Sequence, residues 1–255
     1  MPQDFSLFAK TLANASGEII RQYFRSGIGV DDKADGSPVT IADRKAEETM
    51  RELIMREFPE HGIQGEEFGL YQPQAEYRWV LDPIDGTKNF ITGSFLFGTL
   101  IALLHNGKPI LGAIHHPITH QFLLGAEGVT SLNGRLVKVR ACQRIEEATV
   151  LSSGHYYVAQ YANMSAYEAL TRRAKLYYTW GDCHGYYLVA TGYADVMLDP
   201  IMSPWDLLPL IPIIEGAGGK ITDWHGGDPA TGTSIIATGG SLHDEVVRAL
   251  NPNRE

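Results

Sequence analysis

Two carboxylates three residues apart, Asp82 and Asp85, follow the apolar run Trp79-Val80-Leu81, with Pro83 between them and Gly86-Thr87-Lys88 behind. Proline blocks further ladder pairing and glycine frees the backbone, so the run predicts a strand delivering two acids to a loop. The two side chains and the Ile84 carbonyl offer the oxygen ligands that Mg²⁺ prefers. Taken alone, the segment fits an Asx-type turn capped by Asp85 equally well. A second strand-end acid pair, Glu66-Glu67 after Gly65, shifts the balance toward a metal site. Glu66 is the expected ligand and Glu67 the expected solvated loop acid. Asp206 precedes the apolar residues Leu207, Leu208, Leu210, Ile211 and Ile214, where a helix begins. A carboxylate there can cap the helix with one oxygen and bind metal with the other. Asp43, three residues after Thr40, fits a capping box and is an outer participant at best.

Gly86, Thr87 and Lys88 add what a metal site alone lacks. Exposed N–H groups at a glycine turn or helix start cradle phosphate oxygens, and the Thr87 hydroxyl can orient a water. The combination describes metal-assisted phosphate chemistry. His115-His116 is a weaker metal pair, because neighbours on a strand face opposite ways. Their expected role is structural.

These residues need elements to hold them. Phe5, Phe8, Leu12, Ala15, Ile19, Ile20 and Phe24 form a helical stripe over about 4–24, with Asp4 as cap. A turn-rich acidic segment, Gly27 to Pro38, reads as an exposed loop, and a second helix runs from about Thr40 to Phe58. Strands are predicted at 62–64, 79–81, 95–104, 109–115, 121–126 and 131–139, mostly as an antiparallel meander, with Asn133-Gly134 as a hairpin turn. Beyond Ala148 the pattern alternates: strands near 149–152, 176–180, 194–198 and 233–237, with helices near 156–173, 184–191 and 205–216 and a last one at the end. That is α/β patterning. The division expected is an N-terminal α+β sub-domain, 1–147, carrying most of the metal ligands, and a C-terminal α/β sub-domain, 148–255, carrying Asp206 and the specificity residues.

Composition narrows the class. The 255 residues carry 21 Lys plus Arg against 30 Asp plus Glu, a net charge of -9, and 44% are hydrophobic. Such a chain can fill a core, and its acidic balance argues against nucleic acid as the main partner. No apolar run is long enough to span a membrane, and Met1-Pro2-Gln3-Asp4 lacks the pattern of a signal peptide. The expectation is a soluble cytoplasmic protein. Cys142 and Cys183 lack the spacing of a disulfide framework or zinc site.

The motifs Gly65-Glu66-Glu67, Asp82-Pro83-Ile84-Asp85-Gly86-Thr87, Trp205-Asp206 and Glu215-Gly216-Ala217-Gly218-Gly219 resemble, in order, those of the inositol monophosphatase superfamily. The resemblance implies a layered α/β/α/β/α sandwich, a homodimer, lithium sensitivity and two or three Mg²⁺ ions per site. It makes Glu66, Asp82, the Ile84 carbonyl, Asp85 and Asp206 the metal ligands and Thr87 the water-positioning residue. Reaction would be in-line attack of a metal-activated water, helped by Glu66 and Thr87, with Gly86, Thr87, Lys88 and Asp206 against the substrate. Lys88-Asn89-Phe90-Ile91-Thr92-Gly93 and Gly181-Asp182-Cys183-His184-Gly185-Tyr186 are more similar to the histidinol-phosphate phosphatase branch, which serves histidine biosynthesis. Asn89 departs from that branch's serine, and Lys88 replaces the threonine usual in inositol enzymes.

Charge separates the substrates. Histidinol phosphate carries an ammonium and an imidazole, so it calls for a spare carboxylate. Asp182 and Asp199 are the candidates, with Asp182 the better discriminator unless it is only a helix cap. Between Leu176 and Asp206 there is no Lys or Arg, which disfavours substrates bearing a second phosphate. The alternative is a broad-specificity inositol monophosphatase. A non-catalytic cation-binding regulator is disfavoured by the retained Thr87.

Overall fold

The computed structural model describes residues 4–27, 29–33 and 38–252. The first apolar stripe becomes α1 (Phe5–Tyr23), capped by Asp4, whose Oδ1 accepts the Leu7 N–H at 3.0 Å. Helix α2 (Ile41–Glu57) starts with the expected reciprocal cap. The Thr40 hydroxyl oxygen accepts the Ala42 N–H, and Asp43 Oδ2 accepts the Thr40 N–H at 2.8 Å.

The acidic segment expected as a loop is partly ordered: β1 (Val30–Asp32) and β2 (Pro38–Thr40) pair antiparallel. Ion pairs order it, Arg44 with Asp31 at 3.2 Å and Lys33 with Glu66 and Glu67, so no apolar alternation announced it. Residues 28 and 34–37 of that segment, Asp35 included, lie outside the described residues, as do residues 1–3.

Eight strands form the first sheet: β3 (Gly62–Gly65), β4 (Gly69–Tyr71), β5 (Tyr77–Asp85), β6 (Gly98–His105), β7 (Lys108–His116), β8 (Gln121–Ala126), β9 (Val129–Leu132) and β10 (Arg135–Leu136). Their order is β10-β9-β8-β7-β6-β5-β3-β4, with the predicted antiparallel meander from β5 to β10 and β3 parallel to β5. One expectation fails at the decisive place. Strand β5 does not end at Asp82 but continues through Pro83 to Asp85, with a register break between Asp82, opposite Leu100, and Asp85, opposite Gly98. Proline is tolerated at such a bulge because no ladder N–H is required there. On a regular strand, positions three apart face opposite ways; the bulge brings both acids to one cleft.

The second sheet comprises β11 (Thr149–Ser152), β12 (Leu176–Tyr178), β13 (Val196–Asp199), β14 (Lys220–Thr222) and β15 (Ile235–Thr238), ordered β12-β11-β13-β15-β14. The first three are mutually parallel and the last two join antiparallel. The helix expected over 156–173 is two, α4 (His155–Tyr161) and α5 (Met164–Arg173), because Asn163 caps a new start through the Ala166 N–H. The helix expected over 205–216 also divides, into α7 (Pro204–Leu207) and α8 (Leu210–Gly216). Pro209 and Pro212 have no N–H to continue the first helix. Helices α6 (Asp182–Ala190) and α9 (His243–Leu250) complete the second half.

The layers follow from burial. Leu12 of α1 and Met50 and Ile54 of α2 cover Trp79 and Leu103 on one face of the first sheet. Val80, Leu100 and Ile114 on the other face meet Tyr186 and Val189 of α6 and Ile213 of α8, which also bury Met197 and Ala237 of the second sheet. Tyr167 and Leu170 of α5 and Val246 of α9 close the far side over Val150 and Val196. The result is an α/β/α/β/α sandwich. His115 and His116 point to opposite faces: His115 lies beside Gly17 of α1, and the His116 ring meets Tyr187 of α6. Both cysteines are free thiols, and among the described residues no helix is long and apolar enough to cross a membrane.

Candidate active site

Carboxylates from the first sheet and from helices α6 and α7 meet at one cleft of about 570 Å³. Glu66 follows β3, Asp82 and Asp85 end β5, Asp182 opens α6 and Asp206 lies in α7. Lys33, Ile84, Gly86, Thr87, Lys88 and Tyr157 are among the other lining residues. An adjoining cavity of about 370 Å³ shares Asp85, Tyr157, Asp182 and Asp206, and adds Ser153, Tyr161, Asp199 and Met202. A larger cleft of about 730 Å³ beside Trp224 contains one described carboxylate, Asp223, which is engaged by the backbone N–H groups of His225 and Gly227.

Oxygens of Asp82, Asp85 and Asp206 all lie within 4.8 Å of one another. Burial is the main force on each, and like charges add to it. Asp82 is pushed well up by burial and then by Glu66, Asp85 and Asp206; Asp85 by burial, Asp182 and Asp206; and Asp206, chiefly by burial, to about 7. Asp82 Oδ1 is buried with no hydrogen-bond partner among the described residues. An orphaned buried carboxylate oxygen within an all-oxygen acid cluster fits a hard divalent cation, whose charge would relieve the repulsion.

Each acid is also tied to its element. Asp206 is not the helix cap itself: Pro204 starts α7 earlier, Ser203 is the cap, and the Ser203 N–H donates to Asp206 Oδ2 at 3.0 Å. Asp85 Oδ2 accepts the Cys183 N–H, linking the first sheet to α6. The Thr87 hydroxyl donates to the Ile84 carbonyl at 3.0 Å. Its proton is thereby committed, and its lone pairs are left to accept from a water. Gly86 has φ +84°, and a Cβ there would stand 3.0 Å from Asp182 Oδ2 and 3.1 Å from the Leu96 carbonyl. Only glycine turns the chain here without strain.

Asp182 departs from the cap reading, since Gly181 is the cap and Asp182 itself has φ +51°. Its N–H donates to Ser153 Oγ at 3.0 Å and its Oδ2 accepts from Asn89 Nδ2 at 2.9 Å. Asp199, 5% exposed, accepts the Tyr186 hydroxyl at 2.8 Å and is pushed up to about 7, chiefly by burial. Asp43 lines neither cavity; its carboxylate is buried and engaged by Thr40.

Glu67 is not the solvated acid expected. Lys33 Nζ lies 2.6 Å from Glu67 Oε1 and 2.7 Å from Glu66 Oε1, and the Glu67 side chain is only 6% exposed. A cation reached from β1 could not be inferred from the local spacing of the acids. Glu47 was missed as well. Fully buried, it accepts Arg51 Nε and the Glu67 N–H at 2.8 Å each, and so holds the turn that carries Glu66. A Cβ on Gly65 would lie 1.8 Å from Glu47 Oε1. Gly65→Ala is therefore expected to destabilise the fold by about 1–3 kcal/mol in urea unfolding. An unchanged midpoint would show that the turn relaxes freely.

Lys33 and a divalent ion would compete for Glu66. Lys33→Met is expected to tighten Mg²⁺ binding by a few fold in calorimetry, since the partly exposed pair is screened. Unaltered or weaker binding would contradict the competition.

Fold and site together define a class. The model of the inositol monophosphatase family matches residues 1–255, and this chain belongs to that family. It is 42% identical, over 96% of its length and 75% of the relative's, to the bifunctional phosphatase IMPL2 of Arabidopsis thaliana chloroplasts. It is 37% identical to a histidinol-phosphatase of Chlorobaculum parvum, covering 98% of this chain and 97% of that one. Among solved structures, an inositol monophosphatase from Zymomonas mobilis superposes with a TM-score of 0.87 at 36% identity, covering 97% and 98% of the two chains. The protein is thus a phosphatase, a phosphoric monoester hydrolase, of a family whose members are metal-dependent.

Proposed function

We propose that the protein hydrolyses L-histidinol phosphate to L-histidinol and phosphate with Mg²⁺ as cofactor. The observation that carries this reading is Asp182, a carboxylate shared by the acidic cleft and the adjoining cavity in a stretch without Lys or Arg. Tyr157 and Tyr161, 40% and 50% exposed, line that cavity and suit the flat imidazole end of such a substrate. The histidinol-phosphatase name of the Chlorobaculum relative supports the same substrate.

Glu66, Asp82, the Ile84 carbonyl, Asp85 and Asp206 would hold the cation. Bound there, Mg²⁺ would neutralise the phosphate and lower the pKa of water. Lys88 and the backbone at Gly86 and Thr87 hold the phosphate oxygens in place. The Thr87 hydroxyl, its own proton given to Ile84, accepts from the attacking water and aligns it with phosphorus, opposite the leaving oxygen. Glu66 takes the water's proton as the new P–O bond forms. The ester P–O bond breaks on the far side, and the alkoxide regains a proton from water held by Asp206. Asp43 acts only by fixing the start of α2. Asp182, with Asp199 deeper, pairs with the substrate's positive groups.

Asp182→Asn is expected to raise the KM for histidinol phosphate about ten- to a hundredfold, the worth of a charge-assisted contact of roughly 1.5–3 kcal/mol. The KM for a phosphate ester without an amine should change far less. Equal changes for both esters would remove Asp182 from substrate recognition. The second reading, a broad inositol monophosphatase, is favoured by the Zymomonas likeness.

A further inference from the structure

Asp182 is held by the wrong kind of partner for a structural ion pair. Its carboxylate bonds not to a cation but to the neutral amide of Asn89 in α3 (Thr87–Ile91), 93 positions earlier in the chain. The backbone beneath is fixed too, by the Ser153 hydroxyl at the end of β11 and by a positive φ that costs a non-glycine residue about a kcal/mol. Among the described residues no hydrogen bond to Asp182 Oδ1 is formed. A carboxylate meant to receive a cationic substrate must stay oriented and stay charged in a buried place. Arg or Lys in the position of Asn89 would orient it but cancel the charge. An amide donor orients one oxygen and leaves the charge to the ligand.

We propose that Asn89 is a positioning residue for substrate choice: by holding Asp182 Oδ2 it presents the other oxygen to the ammonium or imidazolium of the leaving group. This rests on the histidinol-phosphate reading above. Burial drives Asp182 toward its protonated form, and the Asn89 bond, with the charge of Lys88 after it, opposes that drive. Asn89 lies directly behind the phosphate-facing residues Gly86 to Lys88, so one short helix joins the phosphate end of the site to the amine end. Distance between the two substrate groups would thus be read by the rigid link from Thr87 through Asn89 to Asp182.

The test is steady-state kinetics on Asn89→Leu, Asp182→Asn and the double variant, with Asn89→Ala beside them in case Leu overpacks α3. Substrates are histidinol phosphate and glycerol 2-phosphate, which has no amine. Either Asn89 variant should lower the ratio of kcat/KM between the two esters about tenfold, through KM of histidinol phosphate more than kcat. The double variant should be no less selective than Asp182→Asn alone, because the two residues act as one unit. Equal losses on both esters, or additive losses in the double variant, would overturn the proposal. If Asp182→Asn alters selectivity and the Asn89 variants do not, this inference falls and the substrate reading stands. If Asp182→Asn itself treats both esters alike, both fall.

Discussion

Asp82→Asn is expected to lower turnover by at least about a thousandfold, roughly 4 kcal/mol in the barrier, while raising the stability of the protein in excess chelator. The two effects have one cause. Asp82 is 2% exposed, and burial together with Glu66, Asp85 and Asp206 disfavours its charge. Its pKa in the folded chain stands above the ordinary carboxylate value of 3.8, so its ionisation costs stability as pH rises from that value. Asn removes the cost together with the ligand. Without divalent ions the variant should therefore melt higher than the parent at pH 7, and the gap should close toward pH 3, where both chains are neutral at this position. In saturating Mg²⁺ the order should reverse, because the parent gains more from the ion. A variant that keeps substantial activity, or that melts lower in chelator, would contradict the role given to the acid cluster. Asp206→Asn should follow the same pattern.

Thr87→Ala should lower kcat by about a hundredfold, within the range for a group that positions or exchanges a proton in the transition state. Metal affinity should change little. The hydroxyl donates to the Ile84 carbonyl at 3.0 Å, so what the substitution removes is an acceptor for water and one support of that carbonyl, not a charge. Calorimetric Mg²⁺ titration beside kcat at saturating metal separates the two. Weakened Mg²⁺ binding with normal kcat would make Thr87 a support for the Ile84 carbonyl only. Thr87→Ser, which keeps the hydroxyl, should retain most of the activity.

The path from sequence to site was legible wherever a local rule carried it. Asp4 and the Thr40–Asp43 cap announced α1 and α2, and Asn133-Gly134 announced the turn between β9 and β10. The acids at the ends of β3 and β5 were visible because apolar runs stop there. Non-local features were hidden. That Pro83 lies within β5 depends on β6 pairing across a bulge, and local propensity sees only the proline. Glu67 read as solvated because its partner, Lys33, arrives from 34 positions away. Glu47 drew no reading within its helical stretch, yet it is the buried acceptor for the turn after β3. Asp182 read as a substrate contact unless it was only a helix cap, and nothing local decided between the two, because its αL backbone and Asn89 bond belong to tertiary structure.

The central claim is the substrate, and one assay bears on it most directly. Purified protein in Mg²⁺ is given L-histidinol phosphate and inositol 1-phosphate side by side, and phosphate release is followed to obtain kcat/KM for each. The account predicts a kcat/KM for histidinol phosphate higher by at least about a hundredfold, since the inositol ester offers Asp182 no positive charge. Equal or preferential cleavage of inositol 1-phosphate would contradict it and favour the broad-specificity inositol monophosphatase reading.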